Sequence, residues 1–277
     1  MNLKKVKKFF IYILIIVLCL IIIFPFYWMI NISFQRNTLN TYPPKLYPQK
    51  IDFSSYKDVL KSDFKPLGLW LKNSLIVSLS TTFITIVFSL FAGYAISKYK
   101  FRIKNTFSFL ILATQMLPAP LLLIPMYIIF NKLHILDSLF GLIVADVAFS
   151  IPLCVIMLRS FFDTIPNELE DAAIVDGCTR IGTFFRIHLP LITPGIVATS
   201  IFSFLIAWDE FFAANTLINS EKNWVAAVGL STFIGETVVS WDQIMSAAVI
   251  FTIPAIIFFL FIQKYLVAGL TAGSVKG

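Results

Sequence analysis

The sequence predicts an all-α integral membrane protein with six transmembrane helices. Of its 277 residues, 58% are apolar and 13% charged, against roughly 45–50% and about 25% in soluble globular chains. Six apolar stretches approach the roughly 20 residues of helix that a bilayer core requires. The mean hydropathy is +0.86, so too little polar surface exists to coat a soluble globule, and a soluble enzyme is excluded. Disorder, which needs low hydrophobicity and high net charge, fails on the same figures. The formal charge of +7 is read as membrane topology and not as nucleic-acid binding, because membrane proteins concentrate Lys and Arg in cytoplasmic loops.

The spans are expected at 9–30, 75–97, 107–130, 139–158, 192–217 and 244–262. Lys4, Lys5, Lys7 and Lys8 precede the first, as in a signal peptide, but its apolar run is too long and no small-residue cleavage site follows. Leu18 before Cys19 does not suit a lipoprotein box, so the first stretch is expected to be an uncleaved span. With the N-terminus inside, 13 of the 22 Lys and Arg residues fall on the cytoplasmic side, while the two other short outer loops hold Lys132 and Lys222. Both termini are therefore placed in the cytoplasm, and residues 1–277 are expected to form a single transmembrane domain. The long loop 31–74, with Pro43, Pro44 and Pro48 and an amphipathic stretch near Tyr56–Leu60, is expected to be an extracytoplasmic cap. Pro118, Pro120 and Pro125 are expected to shape or hinge the third span. In loop 218–243, Trp224 and Trp241 suit either an interfacial anchor or a partner contact.

The connection 159–190 is too long for a simple turn. Pro166 suits the first turn of a short helix, with Glu168, Glu170 and Asp171 near its positive end. Ala172 and Ala173 permit close approach by another surface, and Gly177 ends the helix. A second helical segment follows, with Ile181, Phe184, Phe185 and Leu189 expected along one apolar face until Pro190 breaks it. A membrane-surface hairpin would favour basic residues over anionic lipid. This helix is acidic, which favours a protein partner.

Asp171-Ala172-Ala173, then three residues, Gly177, nine residues, Ile187, one residue and Leu189-Pro190 resembles the EAA loop of binding-protein-dependent ABC transporter permeases, E-A-A-x3-G-x9-I-x-L-P. Seven positions are set by that pattern and six are identical; Asp171 replaces Glu. Phe24-Pro25-Phe26-Tyr27-Trp28, Ala207-Trp208-Asp209-Glu210-Phe211 and the ending 267–277 resemble the carbohydrate-uptake, MalG-like branch. The resemblance implies a permease subunit of an ATP-driven importer for a sugar or oligosaccharide, multi-pass in the bacterial cell (inner) membrane. It implies a cytoplasmic coupling helix between spans four and five, and as partners a second permease subunit in a heterodimer, an ATPase dimer and an extracytoplasmic sugar-binding protein. The docking surface for the ATPase is then expected at Glu170, Asp171, Ala172, Ala173, Asp176 and Gly177. The tail 269–277 is expected to reach toward the same interface. ATP and Mg are expected in the ATPase, since this chain has no G-x-x-x-x-G-K-[ST] loop, and no cofactor, metal or catalytic residue is expected here.

Residues for the solute path are less distinctive. Asp209 and Glu210 are costly in lipid and suggest a cavity-facing position, with Trp208 and Phe211 available to stack on a sugar ring. Pairing with a polar group of the second permease explains the two acids equally well. Asp146 and Gln115 share that ambiguity. Cys19, Cys154, Cys178, His134 and His188 have no metal-ligand spacing. A secondary transporter would show inverted repeats and coupling-ion ligands, and a membrane enzyme would show a nucleophile or metal cluster; neither pattern is present in the sequence.

Overall fold

A computed structural model of the protein describes residues 3–36, 45–62, 65–99, 101–234 and 240–273. Among them every regular element is a helix. In order these are α1 (Leu3–Ser33), α2 (Ser54–Lys61), α3 (Leu67–Lys98), α4 (Lys104–Thr114), α5 (Ala119–Lys132), α6 (Leu139–Asp163), α7 (Asn167–Val175), α8 (Arg180–Thr183), a π-helical turn (Phe184–His188), α9 (Leu189–Leu191), α10 (Thr193–Trp208), α11 (Phe212–Leu217), a 3-10 turn (Glu221–Asn223), α12 (Ala226–Ser231) and α13 (Trp241–Gly273). Parts of the long first loop and of the loop before α13, together with 274–277 of the tail, lie outside the described residues.

Among the described residues four helices are long and apolar enough to cross a bilayer, and the number rises to six if each of two bent pairs counts as one span. The third expected span is not straight. α4 and α5 meet at 94°, because the chain leaves the helix after Gln115 and re-enters it from an extended Pro118, whose missing N–H cannot continue the ladder. Pro125, by contrast, is accommodated inside α5. The fifth span also differs from expectation. It is preceded by a 75° bend at Ile192, and its main helix stops at Trp208, leaving Phe212–Leu217 as a separate short helix.

The chain divides into two compact units. The first comprises 1–68 and 229–253. Here α1 is apolar around its circumference, and its most apolar 18 residues are not buried within the chain, a pattern suited to hydrocarbon surroundings. Its end is tied by polar contacts. Ser33 Oγ donates to the Ile30 carbonyl (2.7 Å) and lies 2.6 Å from the Tyr56 hydroxyl, while Ser246 Oγ donates to the Ser33 carbonyl (3.2 Å). Ser55 Oγ donates to the buried Asp242 carboxylate at 2.7 Å. These bonds join α1, α2 and the start of α13 where the apolar span ends.

The second unit comprises 69–228 and 254–277. α6 and α10 approach closely at Gly195, where a Cβ would lie 2.3 Å from the Phe161 ring. α3 and α6 do so at Gly93, where a Cβ would stand 3.0 Å from the Arg159 backbone nitrogen. One apolar core gathers Val77, Leu123, Phe130, Leu142 and Leu217; a second gathers Tyr94, Leu158, Phe162, Phe184 and Ile192. The second core lies directly behind α7.

Trp224, expected to meet lipid or a partner, instead packs on Trp70 at 5.8 Å between ring centres. Trp70 Nε1 donates to the Glu221 carbonyl (3.0 Å), and Asn73 Nδ2 donates to the carbonyls of Lys222 (2.9 Å) and Trp224 (2.8 Å). The loop is thereby folded onto the start of α3. Trp241 is half-exposed.

Candidate functional site: the α7 helix and its cradle

α7 begins immediately after Pro166, whose extended backbone opens the helix, and carries Glu168 and Glu170 in its first turn. Its end is closed by two bonds: the Gly177 amide donates to the Ile174 carbonyl (3.0 Å) and the Cys178 amide to the Ala173 carbonyl (2.9 Å). Both require Gly177 at φ +86°, a left-handed conformation that costs a residue with a Cβ roughly 1–2 kcal/mol. The Thr179 side chain then accepts from the Gly182 amide at 3.1 Å and starts the next helix.

The six residues expected at the docking surface divide between two faces. Ala173 is buried, and Glu170 is turned inward. Glu170 Oε1 is 3.3 Å from the Tyr94 hydroxyl, and Oε2 is 3.4 Å from His188 Nε2. His188 is fully buried, beside the rings of Tyr94 (5.1 Å) and Phe162 (6.1 Å). Lys98 Nζ donates to the Ile165 carbonyl (2.6 Å) and to Asn167 Oδ1 (3.1 Å), fixing the start of α7 to the end of α3. Asp171, Ala172, Asp176 and Gly177 are exposed. So are Val175 (86%), Leu169 (44%) and Ile174 (42%), three apolar residues absent from the expected set.

The second segment does not present the expected single apolar face. Phe184 is buried against Tyr94 and Phe162, whereas Ile181 and Phe185 are exposed. Phe184 and Phe185 point about 100° apart on the helix surface, so one turns to the core and the other does not, and the π-helical turn that begins at Phe184 shifts the register of the residues after it. Pro190 does not end the segment, which continues to Leu191. The cradle residues His188, Tyr94 and Lys98 were not singled out for this role from sequence. Their only signal was a histidine in an otherwise apolar run, and its partner, Glu170, lies on another helix.

Among the residues suggested for a solute path, the structure brings Asp146 near enough to Glu210 for their charges to interact. Glu210 Oε1 and Oε2 accept from the amides of Ala213 and Ala214, both at 2.8 Å, so its carboxylate caps α11. Asp209 is the exposed residue that ends α10. Trp208 is buried and stacks on Phe204 at 5.6 Å, and Phe211 is half-buried. Gln115 is exposed at the α4–α5 bend. Asp146 is buried in α6, and neither carboxylate oxygen has a hydrogen-bond partner among the described residues. A row of hydroxyls that sequence reading passed over, Ser74, Ser78, Thr81, Thr85 and Ser89, is buried on α3. Their spacing of three and four places them on one helix face.

At the opposite end of the second unit, Asp137 clasps the segment after α11. Its carboxylate accepts from the amides of Asn219 (3.0 Å) and Ser220 (2.8 Å) and from the Ser220 hydroxyl, and Asn223 Nδ2 donates to its carbonyl at 2.6 Å. The Ser220 hydroxyl, followed by the amides, holds the Asp137 carboxyl below the usual carboxylate range. No group of three or more His, Cys, Asp or Glu able to hold a metal occurs among the described residues.

Long apolar helices joined by hydrogen-bonded connecting segments define a multi-pass membrane protein. Residues 67–272 match the family of binding-protein-dependent transport system inner membrane components, and the chain belongs to that family. It is 35% identical over 256 residues to the sulfoquinovosyl glycerol transport system permease protein SmoH of Agrobacterium fabrum, covering 92% of this chain and 89% of that one. It is 33% identical over 275 residues to the trehalose/maltose transport system permease protein MalG of Thermococcus litoralis, covering 99% of each. The fold is similar to a chain in the crystal structure of a bacterial ABC transporter involved in import of the acidic polysaccharide alginate. That match has a TM-score of 0.83 and 22% identity, and covers 96% of this chain and 98% of the other. The chain is therefore a multi-pass inner-membrane permease component and not an enzyme.

Proposed function

We propose that the chain is one of two permease subunits in an ATP-driven importer of a sugar or oligosaccharide, forming half of the translocation path. The bent pairs α4–α5 and α8–α10 each serve as one span, giving six, with both termini in the cytoplasm. α7 then faces the cytoplasm and docks on an ATPase subunit through Asp171, Ala172, Val175, Asp176 and Gly177. Glu170 and Ala173 act from behind, seating α7 on the spans. An extracytoplasmic binding protein delivers the solute.

The observation that carries this reading is the two-sided character of α7. One face is exposed and acidic, with small Ala172 and apolar Val175 at its C-terminal end; the other is hydrogen-bonded to α3 and lies against His188 in the segment leading into α10. A helix held this way transmits a push from a partner to the spans as a rigid body. The sugar-transport relatives supply the solute class. The reading is tested by uptake in membranes of the host cell. An ATPase subunit is expected to copurify with the chain, and sugar uptake is expected to stop with vanadate but survive a proton uncoupler. The opposite inhibitor pattern would make the chain part of a secondary transporter.

A further inference from the structure

We propose that the end of α1 and the segment beginning at Lys45 form a binding site for the phosphodiester headgroup of an anionic lipid. This goes beyond the transport reading and does not rest on it. A cavity of about 220 Å³ is lined by Gln35, Arg36, Lys45, Gln49, Lys50 and Asp52. That is roughly seven times the ~30 Å³ share of one liquid water, enough for a phosphodiester with part of its polar headgroup. Three cations face one carboxylate there, and the carboxylate is already engaged: Asp52 Oδ1 accepts from the Ser54 amide at 2.8 Å. Arg36 stands 3.9 Å from Asp58, beyond hydrogen-bond length, so its planar fork is not committed to that acid. Such a fork matches two phosphate oxygens at once.

The walls of the cavity are held in place. Asn31 Nδ2 and Gln35 Nε2 donate to the Lys45 carbonyl at 2.9 and 3.1 Å. The Tyr27 hydroxyl donates to the Leu46 carbonyl, and the Asp52 amide to the Phe34 carbonyl at 3.2 Å. The segment is thereby folded back on the terminus of the helix.

Position and composition favour a lipid over a free anion. The cavity adjoins the end of the 27-residue apolar span Lys7–Ser33, at the opposite end from its lysine-rich start. Between and beside the cations, Leu46, Tyr47, Ile51 and Phe53 are exposed by 57–69%. A soluble anion has no use for these apolar side chains, whereas basic residues interleaved with apolar ones are the pattern of a segment seated at a membrane interface. Tyr27 and Trp28, near the same end of α1, suit the aromatic belt at that depth.

The test uses the complete importer, purified in detergent and examined by native mass spectrometry with added phosphatidylglycerol, phosphatidylcholine or glycerol 1-phosphate. The wild type is expected to retain phosphatidylglycerol in preference to phosphatidylcholine. The triple variant R36Q/K45Q/K50Q is expected to bind it about 100-fold more weakly, from the loss of three cations near an anionic headgroup. If the triple variant does not assemble, R36Q alone decides, with about a tenfold loss expected. Unchanged retention in the variants overturns the proposal. So does an equal loss in K57Q, whose lysine on α2 does not line the cavity, since that would mean diffuse attraction. Displacement by equimolar glycerol 1-phosphate would identify a free-anion site. Weakened capture of the extracytoplasmic binding protein with lipid retention intact would identify a protein-docking surface, and either result overturns the lipid assignment. Retention is read without transport, so its failure is separable from failure of the importer reading.

Discussion

Glu170 Oε2 lies 3.4 Å from His188 Nε2, across a fully buried imidazole, and joins the inner face of α7 to the π-helical turn that leads into α10. The 17 intervening residues, 171–187, include the glycine turn and α8, so this contact bypasses the more compliant part of the connection. With the Tyr94 hydroxyl on the other carboxylate oxygen, α7 is hydrogen-bonded to α3 and stands in close polar contact with the approach to α10. Displacement of α7 is then communicated to two spans together.

Replacing Glu170 by Ala is expected to leave the Tyr94 hydroxyl without its acceptor and the buried His188 without the carboxylate beside it. Removal of one partner of a buried polar contact costs about 1–3 kcal/mol. The detergent-purified complex should melt at lower temperature, and solute-stimulated ATP hydrolysis should fall while basal hydrolysis persists. E170Q, which keeps an acceptor oxygen of similar reach, should retain more of both properties. Equal behaviour of E170A and wild type in the melting assay would remove the cradle from the account.

Gly177 is constrained by its backbone and not by crowding, since a Cβ there would meet open space. Substitution should therefore follow left-handed propensity: G177N is expected to be milder than G177A, and G177V the most severe, with costs near 1–2 kcal/mol for the Ala change. Melting temperatures of the purified variants check the order. A bulky but tolerated side chain at this position would indicate that the helix end is built differently.

The Asp137 clasp should depend on pH. Its carboxyl is held low in the folded chain, so the contribution to stability is present above the unfolded value, ~3.9, and is lost as pH falls through the lower folded value. Amide exchange at Asn219 and Ser220, corrected for intrinsic rates, is expected to stay slow at neutral pH and accelerate on acidification. In D137A it should be fast throughout and indifferent to pH. D137N should preserve the backbone, since asparagine tolerates the positive φ of 52°, while losing the pH dependence.

Much of this architecture is readable from local patterns. The apolar runs mark α1, α3, α6 and α13, and Pro166 and Gly177 bracket α7, because span length and helix-end chemistry are short-range properties. The division of α7 into inner and outer faces is not readable, since Glu170 looks like one more surface acid until His188 and Tyr94 are brought to it from 18 and 76 positions away. Glu210 illustrates the opposite difficulty. A carboxylate inside an apolar run suggests a cavity, yet here it satisfies the amides of Ala213 and Ala214 where the helix has already broken. Trp224 has no local feature that distinguishes stacking on Trp70, more than 150 residues earlier, from insertion into lipid. The π-helical turn likewise leaves no mark in the residue pattern.

The central claim is that the exposed face of α7 receives the energy of ATP hydrolysis. Ala172→Trp places a bulky side chain on that face without disturbing a buried contact, so the folding stability of the chain should change by no more than about 0.5 kcal/mol. The measurement is solute-stimulated ATP hydrolysis and uptake by the importer reconstituted in liposomes with this variant. The account predicts loss of both, together with loss of ATPase copurification, in a permease that still folds and inserts. Wild-type uptake and stimulated hydrolysis by the Ala172→Trp importer would contradict it.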